Sequence, residues 1–406
     1  MRWTIAAAVL ALLVALVSAA PFRLSSNPPE QIRLSFTGIP TEAVMMWITP
    51  SPASPQVKVG PRSGAYYIPF NGTSTQYTYD SYTSGYIHTV KVTGLTPLTT
   101  YFYVVGDASQ GWSNEFTFKS MTTDKVPLTV AVIGDLGFTS NSLNTVNGIL
   151  SDSMRADVLW HAGDITYANG NQPIWDQWGN MVQPLSASMA WMVGVGNHEN
   201  YHNFTAYNYR FRMPYAESNS PGLNLFWSYS HSYVRLVLLS TETDFSVGSA
   251  QYNWFIKEME SVNRTQTPWL ILMYHRPFYN SNTAHQGEIP AFQTIYEPLF
   301  YKYKVDLAFN GHVHSYERSK QVYRNVVSTA NPTEYIVIGD GGNQEGLASQ
   351  WLSQPSWSAF RQAAYGYGRM VIHNETHIDW TWHINPTTNE YTIRDQATFV
   401  RPYPRF

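Results

Sequence analysis

Leu128-Thr-Val-Ala-Val-Ile133, followed at once by Gly134-Asp135-Leu-Gly137, is the stretch on which the reading of this chain turns. The apolar run is short, does not alternate, and stops at glycine and an acid, as a buried strand of an α/β layered domain does. The same grammar recurs downstream at residues 158–160, 191–195, 234–239, 269–274, 305–309 and 335–338. Five of these seven runs lead into a polar residue able to bind a metal: Asp135, Asp164, Asn197, His275 and His312. Strand ends gather along one edge of a sheet, so residues far apart in sequence can meet there.

Between these runs one helix is easy to place. From Ser249 to Val262, Tyr252, Phe255, Met259 and Val262 form one apolar stripe with polar residues opposite, a helix that faces a core. Upstream, from about Pro28 to Thr122, the pattern changes to Thr-, Tyr- and Val-rich runs broken by Pro, Gly and Ser, with no helical period. Such spacing predicts an all-β sandwich with strands at 44–49, 86–92 and 100–105, the last preceded by the turn Gly94-Leu-Thr-Pro97. That stretch resembles a fibronectin type III module. The fold class is therefore read as two-domain and β-rich: an N-terminal β-sandwich over 21–124, then an α/β layered domain of βαβ-type mixed sheets over 125–406 with a C-terminal β segment.

Composition narrows the function. The 406 residues are 13% charged, about half the usual share, with a formal net charge of -3 and no basic stripe, which argues against a nucleic-acid partner. Hydrophobic residues at 44% exclude a disordered chain. Arg2, the apolar run 5–17 and the small residues Ser18, Ala19 and Ala20 read as a signal peptide over residues 1–20. No later segment reaches spanning length, so the expected product is exported, secreted or endolysosomal, with no membrane contact after cleavage. Sequons at Asn71, Asn203, Asn263 and Asn374 fit that route as glycan acceptors. There is no cysteine, which excludes disulfides, thiolate ligands and a cysteine nucleophile.

Chemistry resides in Gly134-Asp135-Leu-Gly137, Gly163-Asp164-Ile-Thr-Tyr167, Gly196-Asn197-His198-Glu199, Tyr274-His-Arg-Pro277 and Gly311-His312-Val-His314. Singly, each is an ordinary turn or a satisfied histidine. Together they supply two carboxylates, one amide, a tyrosine and three imidazoles, an oxygen and nitrogen set suited to hard or borderline metals.

In order and spacing type the five segments resemble the metallophosphoesterases, and Tyr167 narrows the resemblance to the purple acid phosphatases. The amino-terminal module, Gly339-Asp-Gly-Gly342 and the closing Tyr365-Gly-Tyr-Gly368 through Trp380-Thr-Trp382 are similar to that family's larger, two-domain form. The resemblance implies that Asp135, Tyr167 and His314 hold Fe(III), that Asn197, His275 and His312 hold Zn(II), Mn(II) or Fe(II), and that Asp164 bridges them. Fe(III) and a divalent partner bring five positive charges. Asp135, Asp164 and a tyrosinate return three negative ones, which leaves a site attractive to a phosphate ester dianion.

The implied reaction is hydrolysis of phosphate monoesters in acid by a metal-activated hydroxide. His198 and His285 are the candidate proton donors, and with Asn197 the candidate phosphate contacts. Relatives often carry two adjacent histidines where this chain has Ala284-His285, which leaves the general acid open between His198 and His285. Glu199 either orients His198 or is a plain loop acid, and Asp340 reads as a turn residue packed beneath the site. Two rival functions stand beside this one. A phosphodiesterase or pyrophosphohydrolase would hold a second group with His202, Tyr279 or Arg276; a non-catalytic extracellular binding protein would use the β module. Any homodimer must be noncovalent, and Trp351 to Trp357 is weighed as an apolar patch against ordinary core.

Overall fold

The computed structural model describes residues 27–401 except 68, 153, 329, 331 and 387–390; the signal-peptide segment 1–20 lies outside the described residues. The N-terminal part is a sandwich of two antiparallel sheets. One pairs Glu30–Ser35, Ala43–Thr49, Tyr86–Val92 and Thr73–Thr75 in that order; the other is built on Gln56–Gly60 and Thr100–Asp107, with Phe116–Lys119 alongside. Gly94 sits at φ +74 with open space around it, so the expected turn needs its missing side chain. The Tyr101 hydroxyl then accepts from Thr96 N at 2.8 Å and ties that turn to the strand.

After the connecting segment 120–127, two mixed sheets pack face to face. The first runs Ala190–Val193, Val158–His161, Leu128–Ile133, Gly366–Ile372, His377–Ile384 and Thr392–Val400, its first three strands parallel. The second has parallel Val234–Leu238, Trp269–Met273, Leu307–Asn310 and Glu334–Ile338 at its centre. All seven runs expected as buried strands are strands. Between the sheets Phe309 packs on Trp380 at 5.3 Å, and Tyr316 stacks on Trp382 at 4.3 Å. Helices Ser140–Ser151 and Pro173–Ser186 belong with the first sheet. Ala250–Ser261 and Pro290–Lys302 belong with the second, closing a core of Phe255, Leu272, Phe292 and Phe300.

The helix expected at 249–262 is observed at Ala250–Ser261, with the Ser249 hydroxyl capping Tyr252 N. Its buried face is rotated from the expected stripe. Gln251, Trp254, Phe255, Glu258 and Met259 go inward, while Tyr252 and Val262 are only partly buried. The reason is polar: Gln251 closes two hydrogen bonds with the Ser240 main chain, at 2.7 and 2.9 Å, and Glu258 pairs with Arg235. Trp357 is core, against Tyr279 at 5.3 Å, while Trp351 is partly buried under the Arg361 guanidinium.

The sandwich is joined to the second domain by a buried polar knot. Arg210 has no exposed surface and donates to the Tyr77 hydroxyl at 2.9 Å, Gln31 Oε1 at 3.0 Å, the Tyr82 hydroxyl at 2.9 Å and Asp176 Oδ1 at 2.9 Å. With no disulfide available, this network and the packing around it fix the seam.

Candidate metal centre

Every segment singled out in the sequence lies just beyond the C-terminal end of a parallel strand, and all of them converge. Asp135 follows Leu128–Ile133, Asp164 and Tyr167 follow Val158–His161, and Asn197 opens a single 3-10 turn after Ala190–Val193. His275 follows Trp269–Met273, and His312 and His314 follow Leu307–Asn310. The backbone turns sharply at these points: Asp135, Asp164, Tyr167 and His312 have φ of 54, 51, 54 and 70°. Left-handed non-glycine residues are costly and persist where the surroundings hold them. The glycines of the motifs have a separate reason. A Cβ on Gly163 (φ +86) would lie 2.8 Å from His275 Nδ1, and one on Gly311 would lie 2.2 Å from Asp135 Oδ2.

Two groups of donor atoms result. In the first, the Tyr167 hydroxyl lies 2.9 Å from both Asp135 Oδ1 and His314 Nε2, which are themselves 3.5 Å apart. In the second, His275 Nε2 lies 3.0 Å from Asp164 Oδ2 and 3.2 Å from Asn197 Oδ1, and donor atoms of Asp164, His275 and His312 all fall within 4.8 Å of one another. Outer partners aim the rings. His275 Nδ1 donates to Ala162 O at 2.9 Å and His314 Nδ1 to Gly346 O at 3.0 Å, which leaves both Nε2 atoms facing inward.

The electrostatics are those of a cluster built around positive charge. Burial, then Asp135 and Asp164, pushes the Tyr167 phenol well above its ordinary value. Burial works to raise Asp164, but the adjacent His275 imidazole overrides it and holds the carboxyl well below the usual range. Burial likewise works to lower His275, and Asp164 overcomes it, carrying the imidazole up to about 10. His312 moves down, through burial and through its neighbours His275 and His285. Asp164 Oδ2 is buried and faces only imidazole nitrogens, His275 Nε2 at 3.0 Å and His198 Nε2 at 3.8 Å. A buried carboxylate amid oxygen and imidazole donors and no thiolate fits a hard or borderline cation.

Around the cluster lie residues that carried no signal in the sequence. Asn169 Oδ1 meets His198 Nδ1 at 2.5 Å, and the His198 ring lies over Tyr167 with centroids 4.1 Å apart. Glu288 lies 2.6 Å from His285 Nδ1, 2.7 Å from His312 Nε2 and 2.5 Å from Arg276 Nη1. Neither is part of a strand-end motif, so only the folded chain brings them in. His285 itself reaches the cluster, its ring 3.9 Å from that of His312.

Glu199 follows neither alternative weighed for it. Its buried carboxylate leaves His198 alone and instead accepts from Asp164 N at 2.9 Å, Ile165 N at 2.8 Å and Gly196 N at 2.8 Å, clamping two ligand-bearing loops. Asp340 is buried, accepts from Trp382 Nε1 at 2.8 Å, and is lifted to about 7 by burial. The residues considered for a second substrate group are otherwise occupied. Arg276 pairs with Glu242 and Glu288, the buried Tyr279 hydroxyl donates to Glu297, and the His202 ring stacks on Tyr79 at 3.8 Å.

This chain is similar to known proteins along nearly its whole length. Residues 29–120 match the purple acid phosphatase N-terminal domain family, 128–316 the calcineurin-like phosphoesterases, and 333–396 the iron/zinc purple acid phosphatase-like protein C family. "Probable purple acid phosphatase 20" of Arabidopsis thaliana is 42% identical over 88% of this chain and 84% of its own length. "Fe(3+)-Zn(2+) purple acid phosphatase 12" of the same plant is 34% identical over 89% and 82%. The solved structure of a purple acid phosphatase from yellow lupin (Lupinus luteus) seeds superposes with a TM-score of 0.85 at 25% identity, covering 93% of this chain and 75% of that one. An Arabidopsis relative this similar, over this much of both sequences, leaves no room for another assignment: the chain belongs to the purple acid phosphatase family and is a phosphatase.

Proposed function

We propose that this phosphatase is exported and hydrolyses phosphate monoesters at an Fe(III) and divalent metal pair. The observation that carries the reading is the Tyr167 hydroxyl, buried within 2.9 Å of both Asp135 and His314. Burial and two carboxylates disfavour its anion, so ionising it calls for a strongly charged ion, and phenolate is a hard donor suited to Fe(III). Asp135, Tyr167 and His314 would hold that iron. Asn197, His275 and His312 would hold the divalent ion, with Asp164 between the two; a relative named for Fe(3+) and Zn(2+) supports zinc as that ion. When bound, the pair supplies positive charge to the phosphoryl oxygens and lowers the pKa of water.

The chain's own groups do the rest. The Asn197 amide and His198 lie where a phosphate would rest. Asn169 anchors Nδ1 of His198, and Nε2 reaches over the cluster, 3.8 Å from Asp164 Oδ2, so His198 is the proton donor to the leaving oxygen. His285, at the rim with Nδ1 committed to Glu288, serves as a phosphate contact. The commitments of Arg276, Tyr279 and His202 favour monoesters over the diesterase and pyrophosphohydrolase reading. Export is supported by the exposure of all four sequon asparagines, Asn71, Asn203, Asn263 and Asn374, and none of the described helices is long and apolar enough to cross a membrane.

The test combines metal analysis, visible absorption and hydrolysis of a chromogenic monoester across pH. One iron and a second metal, a visible band lost in Tyr167→Phe, and turnover strongest in acid are expected. Protein that stays colourless and inactive after reconstitution with iron and zinc would refute the reading.

A further inference from the structure

We propose that Glu345 is a specificity-determining residue whose carboxylate, on the lip of the cleft, disfavours di- and triphosphate substrates and reserves the site for monoesters with an uncharged leaving group. The inference rests on the monoesterase reading above. Glu345 does not swing freely at the surface, because its main chain is tied on both sides to segments that carry the cluster. Its own N–H donates to Asn343 Oδ1 at 3.0 Å, and Asn343 Nδ2 donates to Asp135 O at 3.1 Å. Gln344 Nε2 donates to Tyr167 O at 3.0 Å, and Gly346 O receives His314 Nδ1 at 3.0 Å. From this fixed base the half-exposed side chain brings Oε1 to 3.5 Å from His198 Nε2, the nitrogen that lies 3.8 Å from Asp164 Oδ2. A single imidazole therefore separates Glu345 from the heart of the cluster.

Among the described residues, no lysine or arginine pairs with Glu345 to offset its charge for a second phosphate. Among the described residues His198 is the only ion-pair partner of Glu345, and His198 is committed to the phosphate being cleaved. The guanidinium of Arg276, beside His312, is held by Glu242 through two nitrogens and by Glu288 through a third. Past Asn169 the wall is aromatic. Tyr79, reaching over from the N-terminal sandwich, stacks on His202, and Tyr201 beside them is 41% exposed. A phosphate beyond the scissile one would thus meet a carboxylate whose one ion-pair partner is already engaged, whereas an aryl or hydroxylated leaving group would meet rings and amides.

Two unit charges some 7 Å apart in mostly aqueous surroundings repel enough to shift binding about threefold, and a phosphate carries up to two charges. The metal-loaded full chain is assayed with phenyl phosphate and adenosine triphosphate, as wild type, Glu345→Gln and Glu345→Lys. The ratio of kcat/KM for the triphosphate over phenyl phosphate should rise about fivefold in Glu345→Gln and further in Glu345→Lys. The gain should shrink at high salt, which a merely structural role for Glu345 would not produce. A ratio that stays within twofold of wild type in both variants refutes the proposal. A wild-type protein inactive on both esters refutes instead the phosphatase chemistry beneath it.

Discussion

Glu199 provides the sharpest quantitative test of how the centre is built. Its carboxylate is 3% exposed and accepts three main-chain N–H groups, two on the Asp164 loop and one at Gly196. Glu199→Ala orphans all three in a buried setting. Each orphaned buried donor costs about 1–3 kcal/mol, and water entering the space offsets part of it, so a net loss of about 3–5 kcal/mol is expected. Glu199→Gln keeps the shape, and one amide oxygen can still serve the pair at Oε2. Its NH2 then faces Ile165 N–H donor to donor, which costs about 1–3 kcal/mol. At about 2–4 °C per kcal/mol, thermal unfolding should separate wild type, Gln and Ala in that order. Metal content after dialysis against a chelator should fall in the same order, since outer-shell partners of metal ligands are commonly worth about 10- to 100-fold in affinity. If Glu199→Ala unfolded within about 1 °C of wild type and kept its metals, the clamp would not be what holds Asp164 and Asn197 in register.

Arg210→Met should cost about 3–5 kcal/mol in denaturant unfolding, because it strips the donors from Gln31, Tyr77, Tyr82 and Asp176 at the domain seam; an unchanged midpoint would assign the seam to apolar packing alone. Burial pushes His231 down from 6.5 to about 4, so the stability it contributes is fully present above pH 6.5 and lost as pH falls through about 4. The wild-type unfolding midpoint should therefore drop between pH 7 and pH 4, and His231→Phe should drop less; an equal drop in both would place the acid sensitivity elsewhere.

How much of this was legible in the sequence follows from what each feature depends on. Buried strands show as unbroken apolar runs because both faces are covered. The ligands show because each lies within a few residues of a strand end, most of them near a glycine whose missing Cβ makes room for the cluster. Residues 128–137 hold strand, glycine and ligand together. The face of helix Ala250–Ser261 was misjudged because hydrophobic period alone is blind to Gln251, whose amide belongs inside to serve the Ser240 main chain. Glu288 and Glu345 were invisible for another reason. Both lie on loops, and an acid on a loop is ordinary until the fold sets it against His312 or His198.

The same contrast explains why the centre needs both sheets. Asp135, Asp164, Tyr167 and Asn197 come from the first sheet, and His275, His312 and His314 from the second, so the three candidate ligand imidazoles meet the carboxylates from the opposite sheet. His275 Nδ1 reaches the first sheet at Ala162 O, and the His312 N–H donates to Asp135 Oδ1 and Oδ2 at 2.9 and 2.8 Å. Phe309 and Trp380, both fully buried, pack against each other between the two sheets. Core packing and ligand geometry are thus coupled. Truncating Phe309 would be felt at the metals through the position of His312, three residues further along the same chain.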